Sequence, residues 1–204
     1  MSIRSLVAGR VVAPEFRPAF RSLGRGSVAI DCGANIGTYT NVMVASGARV
    51  FAFEPNPDAC AFLRRRLGRR RNLTIYEQAV SDHDGTERLY LHEQAAENPL
   101  EWSVGASLVA DKGNVDPGSF VEVQTVDFDA FVAEVGDTQL VKMDIEGAEL
   151  PILRKLLRTG RIELIHHLLV ELHDKQIPSL AAEADAVRAA VRERRLTGVR
   201  LDWD

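Results

Sequence analysis

The sequence predicts an α/β protein with one mainly parallel sheet and helices on both faces. Short apolar runs alternate with helical patterns along most of the chain, and glycines stand close after several of these elements. The 204 residues are 46% hydrophobic, which suffices for one full core but hardly for two. Parallel sheets of this kind bind ligands beyond the carboxyl ends of their strands, so we expect the functional site along that edge.

Two strand-loop-helix units begin the predicted sheet. The first is the apolar strand Val28–Asp31, followed by a helix that ends at Gly47. The second is the strand Val50–Glu54, followed by a helix that Asn56 can cap and that ends at Gly68. Each unit therefore places a loop at the carboxyl end of a strand.

The middle of the chain is predicted to hold a third strand, a hairpin and a long irregular segment. Leu73–Val80 is the third strand, and Asp84-Gly85 marks a turn after which Glu87–Leu91 is expected to pair as a hairpin. Residues 92–119 carry no steady hydrophobic period, so we expect a variable surface loop or lid there.

Regular structure resumes at Phe120, and the alternation of strand and helix signals continues to the end of the chain. An extended segment Val121–Val126 is expected to lead into a short helix Asp127–Val135 and then a strand Gln139–Asp144. The next helix runs to about Gly160, with Leu150, Leu153, Leu156 and Leu157 facing inward, and is followed by a strand Ile165–Leu172. A helix capped by Ser179 then runs through Leu196, and a last strand carries the alternating residues Val199, Leu201 and Trp203.

The composition of the chain limits the classes of partner that the protein is expected to bind. The net charge of -4 gives no overall attraction to nucleic acid or to anionic membranes, so neither is expected as a partner. Cys32 and Cys60 are too few for a disulfide framework, which favours a reduced, cytoplasmic setting. The early apolar stretch is broken by Arg10 and followed by Pro14 and Pro18, so no signal peptide or membrane span is predicted and the chain is expected to be soluble.

The strongest charge feature is the stretch RRRLGRRR at 64–71. A run of this kind can bind nucleic acid, but positively charged side chains are also favourable at the C-terminus of a helix, and Gly68 ends the predicted helix here. We favour a solvated helix end, which also lies away from the strand ends where chemistry is expected.

The first strand leads into a loop with the spacing G-A-N-I-G. Gly33 permits a tight turn, and Gly37 lets a helix begin close to a ligand with free amides pointing at it. The dinucleotide pattern G-x-G-x-x-G is not met, which disfavours a pyrophosphate. Glu54 ends the second strand, where an acid can accept both hydroxyls of a ribose. A ribose without a pyrophosphate indicates a nucleoside ligand.

Four stretches at the predicted strand ends resemble, in their order and spacing, the FkbM family of S-adenosylmethionine-dependent methyltransferases. They are DCGANIG at 31–37, FEPN at 53–56, AVSD at 79–82 and KMDIEGAE at 142–149. The resemblance implies a Rossmann-like class I methyltransferase domain at 27–204, an N-terminal extension 1–26 packing on it, and S-adenosylmethionine as cofactor. This fold normally adds an antiparallel strand after the sixth, whereas the sequence ends at Asp204. The sheet edge is therefore expected to be incomplete, swapped with a partner or supplied otherwise, with a homodimer through that edge among the alternatives.

The resemblance also implies a set of cofactor-binding residues. One group surrounds the methionine part, Glu54 holds the ribose, and a third group flanks the adenine. The implied cofactor-binding residues are Asp31, Gly33, Ala34, Asn35, Gly37, Glu54, Asn56, Val80, Ser81, Asp82 and Asp144. For Asp31 and Asn35, capping of the following helix is the alternative.

Methylation of a hydroxyl needs a base, because an alcohol is a poor nucleophile unless its proton is taken as the new bond forms. Asp144 and Glu146 follow the fourth strand of the series, and Glu171 and His173 end the fifth. Alternation puts Glu171 and His173 on one face, so we expect His173 to act as the base and Glu171 to orient it. These four residues are the catalytic candidates. They also include ligands that a divalent metal accepts, but no compact spacing demands a metal, so metal dependence is not favoured.

The sequence therefore predicts a methyltransferase that acts on a small molecule, with a hydroxyl of a sugar or secondary metabolite as acceptor. Two alternatives remain: a nicotinamide-dependent oxidoreductase, which would need a pyrophosphate loop, and a non-catalytic nucleotide- or nucleic-acid-binding module using the arginine run.

Overall fold

The computed structural model describes residues 11–94, 106–109, 112–113 and 115–203. The strands are β1 Val28–Cys32, β2 Arg49–Phe53, β3 Leu73–Tyr76, β4 Ala79–Ser81, β5 Gly85–His92, β6 Val115–Asp127, β7 Thr138–Met143, β8 Ile165–Val170 and β9 Val199–Arg200. The helices are α1 Arg17–Arg21, α2 Thr38–Ser46, α3 Pro57–Leu67, α4 Phe128–Val135, α5 Glu149–Thr159 and α6 Ala181–Glu193, with 3-10 turns at Arg161–Leu164 and Pro178–Leu180.

The main sheet has the strand order β3-β2-β1-β7-β8-β9, and every neighbouring pair in it is parallel. Successive side chains alternate between its two faces. Ile30, Val141 and Leu168 pack on one face with residues of α4, α5 and α6. Ala29 and Leu140 pack on the other face with residues of α1 and α2. The predicted parallel sheet with helices on both faces is thus confirmed.

A second sheet, of order β4-β6-β5, differs from the predicted arrangement. The expected strand Leu73–Val80 breaks at Glu77-Gln78: its first part, β3, pairs with β2, and its second part, β4, pairs in parallel with β6. Gly85–His92 also pairs with β6, in antiparallel register, so the expected hairpin with the preceding strand is wrong. Two polar residues interrupt the apolar alternation at the break, but a period of two cannot show that a strand changes partners.

The last helix and strand are shorter than predicted. The helix begins at Ala181 after a 3-10 turn, and Ser179 makes no capping hydrogen bond. It ends at Glu193, and Arg195 then takes a left-handed φ of 54°. The edge strand β9 has two residues, and Trp203 lies beyond it, 3% exposed.

The segment before β1 contributes to the core. Phe16 and Phe20 are buried against the second face of the main sheet, and their rings lie 4.7 and 6.1 Å from that of Trp203. Trp203 in turn packs edge-on against Tyr39 of α2, at 5.0 Å between centroids. In the part of the chain that the structure describes, no helix combines the length and the apolar character needed to cross a bilayer.

Candidate active site

A cleft with an empty volume of about 620 Å³, including its open mouth, lies at the carboxyl edge of the main sheet. Five of the predicted cofactor residues line it, namely Gly33, Asn35, Glu54, Val80 and Asp144. Six others do not: Asp31, Ala34, Gly37, Asn56, Ser81 and Asp82. The sequence missed other members of the lining, which are Phe53, Pro55, Gln78, Ala79, Leu89, Ala106, Leu108 and Ile145, and had assigned Glu146 to catalysis.

The two glycines of the first loop serve close packing. Gly33 has a φ of +76°, and a Cβ there would lie 1.8 Å from the backbone oxygen of Asp144. Gly37 has a φ of +83°, and a Cβ there would lie 2.5 Å from a methyl of Leu63 in α3. Gly33 therefore lets the loops after β1 and β7 touch beside the cleft. Gly37 lies against α3 rather than against the cleft.

Glu54 joins the loops after β1 and β2 at the cleft wall. It is 5% exposed, and its carboxylate accepts hydrogen bonds from the amides of Asn35, at 2.7 Å, and Asn56, at 2.8 Å. Burial raises the pKa of Glu54 to about 7, although these two amide bonds favour the charged form. The side chain of Asn56 caps α3 through the amides of Asp58 and Ala59, which explains why it does not face the cleft.

Asp31 lies behind the cleft and is fully buried. Its carboxylate accepts a hydrogen bond from the Thr40 hydroxyl at 2.6 Å and lies 3.7 Å from the ammonium of Lys142. Burial raises the pKa of Asp31 because its effect exceeds that of Lys142 and Thr40. Direct contact of Asp31 with a ligand in the cleft is therefore not favoured.

Ser81 and Asp82 turn away from the cleft because β4 pairs with β6 rather than with the main sheet. The Ser81 hydroxyl donates to Glu87 at 2.9 Å, and Asp82 lies 2.9 Å from His83. The side of the cleft expected to receive adenine keeps Val80 from the predicted group and is otherwise lined by Gln78 and Ala79.

His173 forms ion pairs with Glu146, in the loop after β7, and with Glu149, at the start of α5. The His173 imidazole is 3.1 Å from Glu149 at Nδ1 and 3.1 Å from Glu146 at Nε2, and Glu171 is farther away, at 3.9 Å. Burial alone would lower the pKa of His173, but the carboxylates of Glu146 and Glu149 raise it to about 10. At neutral pH His173 is therefore a cation without a lone pair, and Glu171 is not its main partner.

Glu149 and Glu146 hold this loop in place. Glu149, fully buried, accepts hydrogen bonds from the amides of Ile145 and Gly147 at 3.2 and 3.0 Å. Glu146 has a left-handed φ of 64°, a conformation that costs energy in a non-glycine residue. Burial alone would raise the pKa of Glu146, but hydrogen bonds from His173 and Lys112 lower it to about 2.

Part of the segment 92–119 packs directly on this loop. Ala106 and Leu108 line the cleft, and the Ser107 hydroxyl donates to the carbonyl of Glu146. Lys112 forms an ion pair with the carboxylate of the same residue. The expected variable segment is therefore attached to the site through Glu146; its residues 95–105 lie outside the described part.

Glu171 lies at the end of β8, next to Asp144, and its side chain is 30% exposed. Burial raises the pKa of Glu171 to about 7, and the neighbouring Asp144 carboxylate raises it further while His173 opposes the shift. The amide of Glu171 donates to the carbonyl of Met143 at 2.9 Å. Glu171 therefore stands at the site as a partly exposed carboxylate with a weakened preference for the charged form.

The ion pairs of His173 are expected to make the free energy of unfolding depend on pH. Its pKa is about 10 in the folded protein and 6.5 ordinarily, so its contribution is complete below about pH 6.5 and is lost as the pH rises to about 10. We expect the wild type to lose roughly 2–4 kcal/mol more unfolding free energy than His173→Gln over that range. Urea unfolding of both proteins at pH 6.5 and pH 9.5 measures this, and equal losses would contradict the charged state of His173.

The arginine run is exposed, as expected, but it is not remote from the site. Arg64 pairs with Glu77, and Arg66 donates to the carbonyl of Ile36 at 2.9 Å, in the loop between β1 and α2. The expectation that the whole run lies away from the strand carboxyl ends is therefore wrong.

Three of the catalytic candidates could also provide metal ligands. Asp144, Glu146 and His173 each offer one ligand atom, and these atoms lie within 4.8 Å of one another. All three already have charged partners: Lys142 lies 3.2 Å from Asp144, and Lys112 and His173 both contact Glu146.

The sheet order, the glycine-bearing loop after β1 and the acid after β2 define a Rossmann-like protein with a ligand cleft at its strand ends. The chain belongs to the FkbM methyltransferase family, since the methyltransferase FkbM domain matches residues 31–195. Membership identifies a methyltransferase rather than an oxidoreductase and implies S-adenosylmethionine as the methyl donor.

Two relatives come from distant organisms. The 2-O-methyltransferase NoeI of Sinorhizobium fredii is 27% identical over 165 residues, covering 74% of this chain and 67% of the relative. The hexuronic acid methyltransferase AglP of Haloferax volcanii is 29% identical over 161 residues, covering 76% of this chain and 61% of the relative. The matches thus span about two thirds of the lengths of these relatives. A solved precorrin 8w decarboxylase from Methanobacterium thermoautotrophicum aligns over 91% of this chain and 71% of its own, at 15% identity and a TM-score of 0.43.

Proposed function

We propose that the protein transfers the methyl group of S-adenosylmethionine to a hydroxyl of a sugar. The observation that carries the proposal is the cleft itself, in which Gly33, Glu54 and Asp144 meet at the strand ends of a methyltransferase domain. One relative is named for 2-O-methylation and the other for methylating a hexuronic acid, which supports a sugar hydroxyl as acceptor. A homodimer and a cytoplasmic location stay predictions.

The cleft fits the methyl donor. Glu54 uses its two oxygens for backbone amides, and each oxygen keeps a second lone-pair site that can accept a ribose hydroxyl. Val80, Leu89 and Leu108 give an apolar wall suited to adenine. Because Gly33 has no Cβ, the backbones of the loops after β1 and β7 touch at the cleft wall, where both can contact the donor. The bound donor would supply a methyl group on a positively charged sulfur.

The proton of the acceptor goes, in this proposal, to Glu171. A base acts best when its pKa is near the working pH, and the pKa of Glu171 is about 7. His173, the base predicted from sequence, is already protonated and enclosed by Glu146 and Glu149. The two residues therefore exchange roles: Glu171 receives the proton, and His173 holds the loop after β7. Asp144, which lines the cleft and neighbours Glu171, would lie near the reacting methyl.

Removal of divalent metal is expected to leave activity unchanged. Lys112, Lys142 and His173 already compensate the carboxylates that a metal would need. We expect kcat with EDTA to stay within about twofold of the untreated value, because aligning the acceptor and taking its proton can supply the acceleration. Activity lost with EDTA and restored by Mg²⁺ would contradict this.

Transfer of isotopically labelled methyl groups tests the function. The purified protein is incubated with deuterated S-adenosylmethionine and panels of neutral glycosides, hexuronic acids and amino sugars, and products are analysed by mass spectrometry. We expect a label on a sugar oxygen, and loss of that label with Asp144→Asn. Glu163→Gln, an exposed acid far from the cleft, serves as the matched control and should label normally. Label found only on a nitrogen, or on none of the sugars, would refute the proposal.

A further inference from the structure

Lys142 is a buried lysine at the centre of the site. It lies in β7 between Val141 and Met143, and only 2% of it is exposed. Removing an ammonium group from water is costly unless charged or polar partners replace the water. The contacts of Lys142 therefore indicate why a lysine occupies this position in an otherwise apolar strand.

The ammonium group of Lys142 connects two loops. It donates to the carbonyl of Gly33 at 2.9 Å, in the loop after β1, and lies 3.2 Å from Asp144 Oδ2, in the loop after β7. Both of these partners line the cleft. The third partner, Asp31 Oδ1, is 3.7 Å away, beyond hydrogen-bonding distance. The short contacts of Lys142 are thus made to the cleft.

We propose that Lys142 is a positioning residue for methyl transfer, which fixes the Gly33 carbonyl and the Asp144 carboxylate relative to each other. The proposal rests on the proposed function. Lys142 itself is covered and does not touch the ligands; it acts by directing two groups that do. Asp144 is 27% exposed on its side chain, so without this donor its carboxylate is free to turn toward solvent.

The alternative is that Lys142 only balances the charge of buried Asp31. If Lys142 had only that role, removing the charges of Asp31 and Lys142 together would leave kcat and KM as they are in Asp31→Asn alone. Asp31 Oδ1 makes no hydrogen bond in the described structure, whereas Oδ2 accepts from Thr40, a bond that asparagine can also accept. Asp31→Asn is therefore a suitable background in which to remove the lysine without leaving a buried carboxylate unpaired.

The test compares Asp31→Asn with the double variant Asp31→Asn/Lys142→Met. Thermal unfolding reports stability, calorimetry reports the Kd of S-adenosylhomocysteine, and initial rates report kcat and KM separately. We expect the two variants to unfold at similar temperatures, while the double variant loses about tenfold to hundredfold in kcat/KM through both kcat and the KM for the donor. The single variant Lys142→Met should unfold earlier than either.

Equal kcat and KM in Asp31→Asn and in the double variant would overturn the positioning role and leave only charge balance. Failure of the wild type to bind S-adenosylhomocysteine would instead overturn the proposed function, and the role of Lys142 with it. Binding by the wild type and by Asp31→Asn, followed by loss in the double variant at unchanged stability, is the result that supports the proposal.

Discussion

Replacing Gly33 by alanine is expected to abolish donor binding and methyl transfer. The new Cβ would lie 1.8 Å from the carbonyl oxygen of Asp144 and 3.0 Å from its carbon, and both are backbone atoms at the end of a central strand. The loops after β1 and β7 must then separate by more than an ångström at the cleft wall. Since misplacement by about 1 Å can cost ~100-fold in rate, we expect kcat/KM to fall at least about that much. Calorimetry with S-adenosylhomocysteine and initial rates measure the loss.

Gly136→Ala is the matched control for this substitution. Gly136 has a φ of +77°, nearly the same as that of Gly33, but an added Cβ meets nothing within 4 Å. Both variants carry the strain of a positive φ in a residue with a Cβ, and only Gly33→Ala also meets the clash. We expect Gly136→Ala to lose stability and to keep its kcat/KM. Equal losses of activity in the two variants would show that close approach at Gly33 is not the reason for the glycine.

Glu171→Gln is expected to lower kcat by about 10²–10⁴-fold, the usual contribution of a positioned base. Glutamine keeps the shape of the side chain but cannot take the proton of the acceptor. Since the group must be ionised to act and its pKa is about 7, wild-type kcat should rise with pH through about 7. Glu54 has a similar pKa and faces the donor, so kcat is measured at saturating donor, where it reports Glu171.

Glu163→Gln makes the same chemical change at an exposed position and should retain the wild-type kcat and pH profile. The KM for the donor should change little in Glu171→Gln, because the side chain does not line the donor cleft. If Glu171→Gln kept more than about a tenth of the wild-type kcat, Glu171 would not be the base.

The main sheet could be predicted because each strand carries its own signal. The apolar runs at β1, β2, β7 and β8, each followed by a polar or glycine-bearing loop, indicated parallel strands and the edge at which they end. That edge brings Gly33, Glu54 and Asp144 together, as the sequence predicted. The positions of these three residues are set by the backbone at the strand ends, and the strand order determines which strand ends are neighbours.

The positions of the other site residues depend on tertiary contacts that local sequence patterns do not encode. Gln78 lines the cleft because the chain leaves the main sheet at Glu77-Gln78, where two polar residues interrupt the apolar alternation without indicating a new partner strand. The prediction for His173 rested on strand alternation alone, which could not show that Glu149, the first residue of α5, contacts its ring. The burial of Lys142 depends in part on the Gly33 carbonyl, 109 residues away in the sequence. A lysine in an apolar strand could have signalled an internal ion pair, since such residues are seldom buried alone.

The attachment of Ala106–Val109 and Lys112 to Glu146 has a consequence for how such enzymes diversify. The donor cleft is built largely from strand ends, while this stretch adds a wall from outside the main sheet. It is attached through the Ser107 hydroxyl, the Lys112 ammonium group and a backbone bridge between Ser107 and Tyr90 of β5. A replacement stretch grafted from a relative needs to reproduce these anchors. Selectivity for a new acceptor can therefore evolve by exchanging this stretch without rebuilding the main sheet.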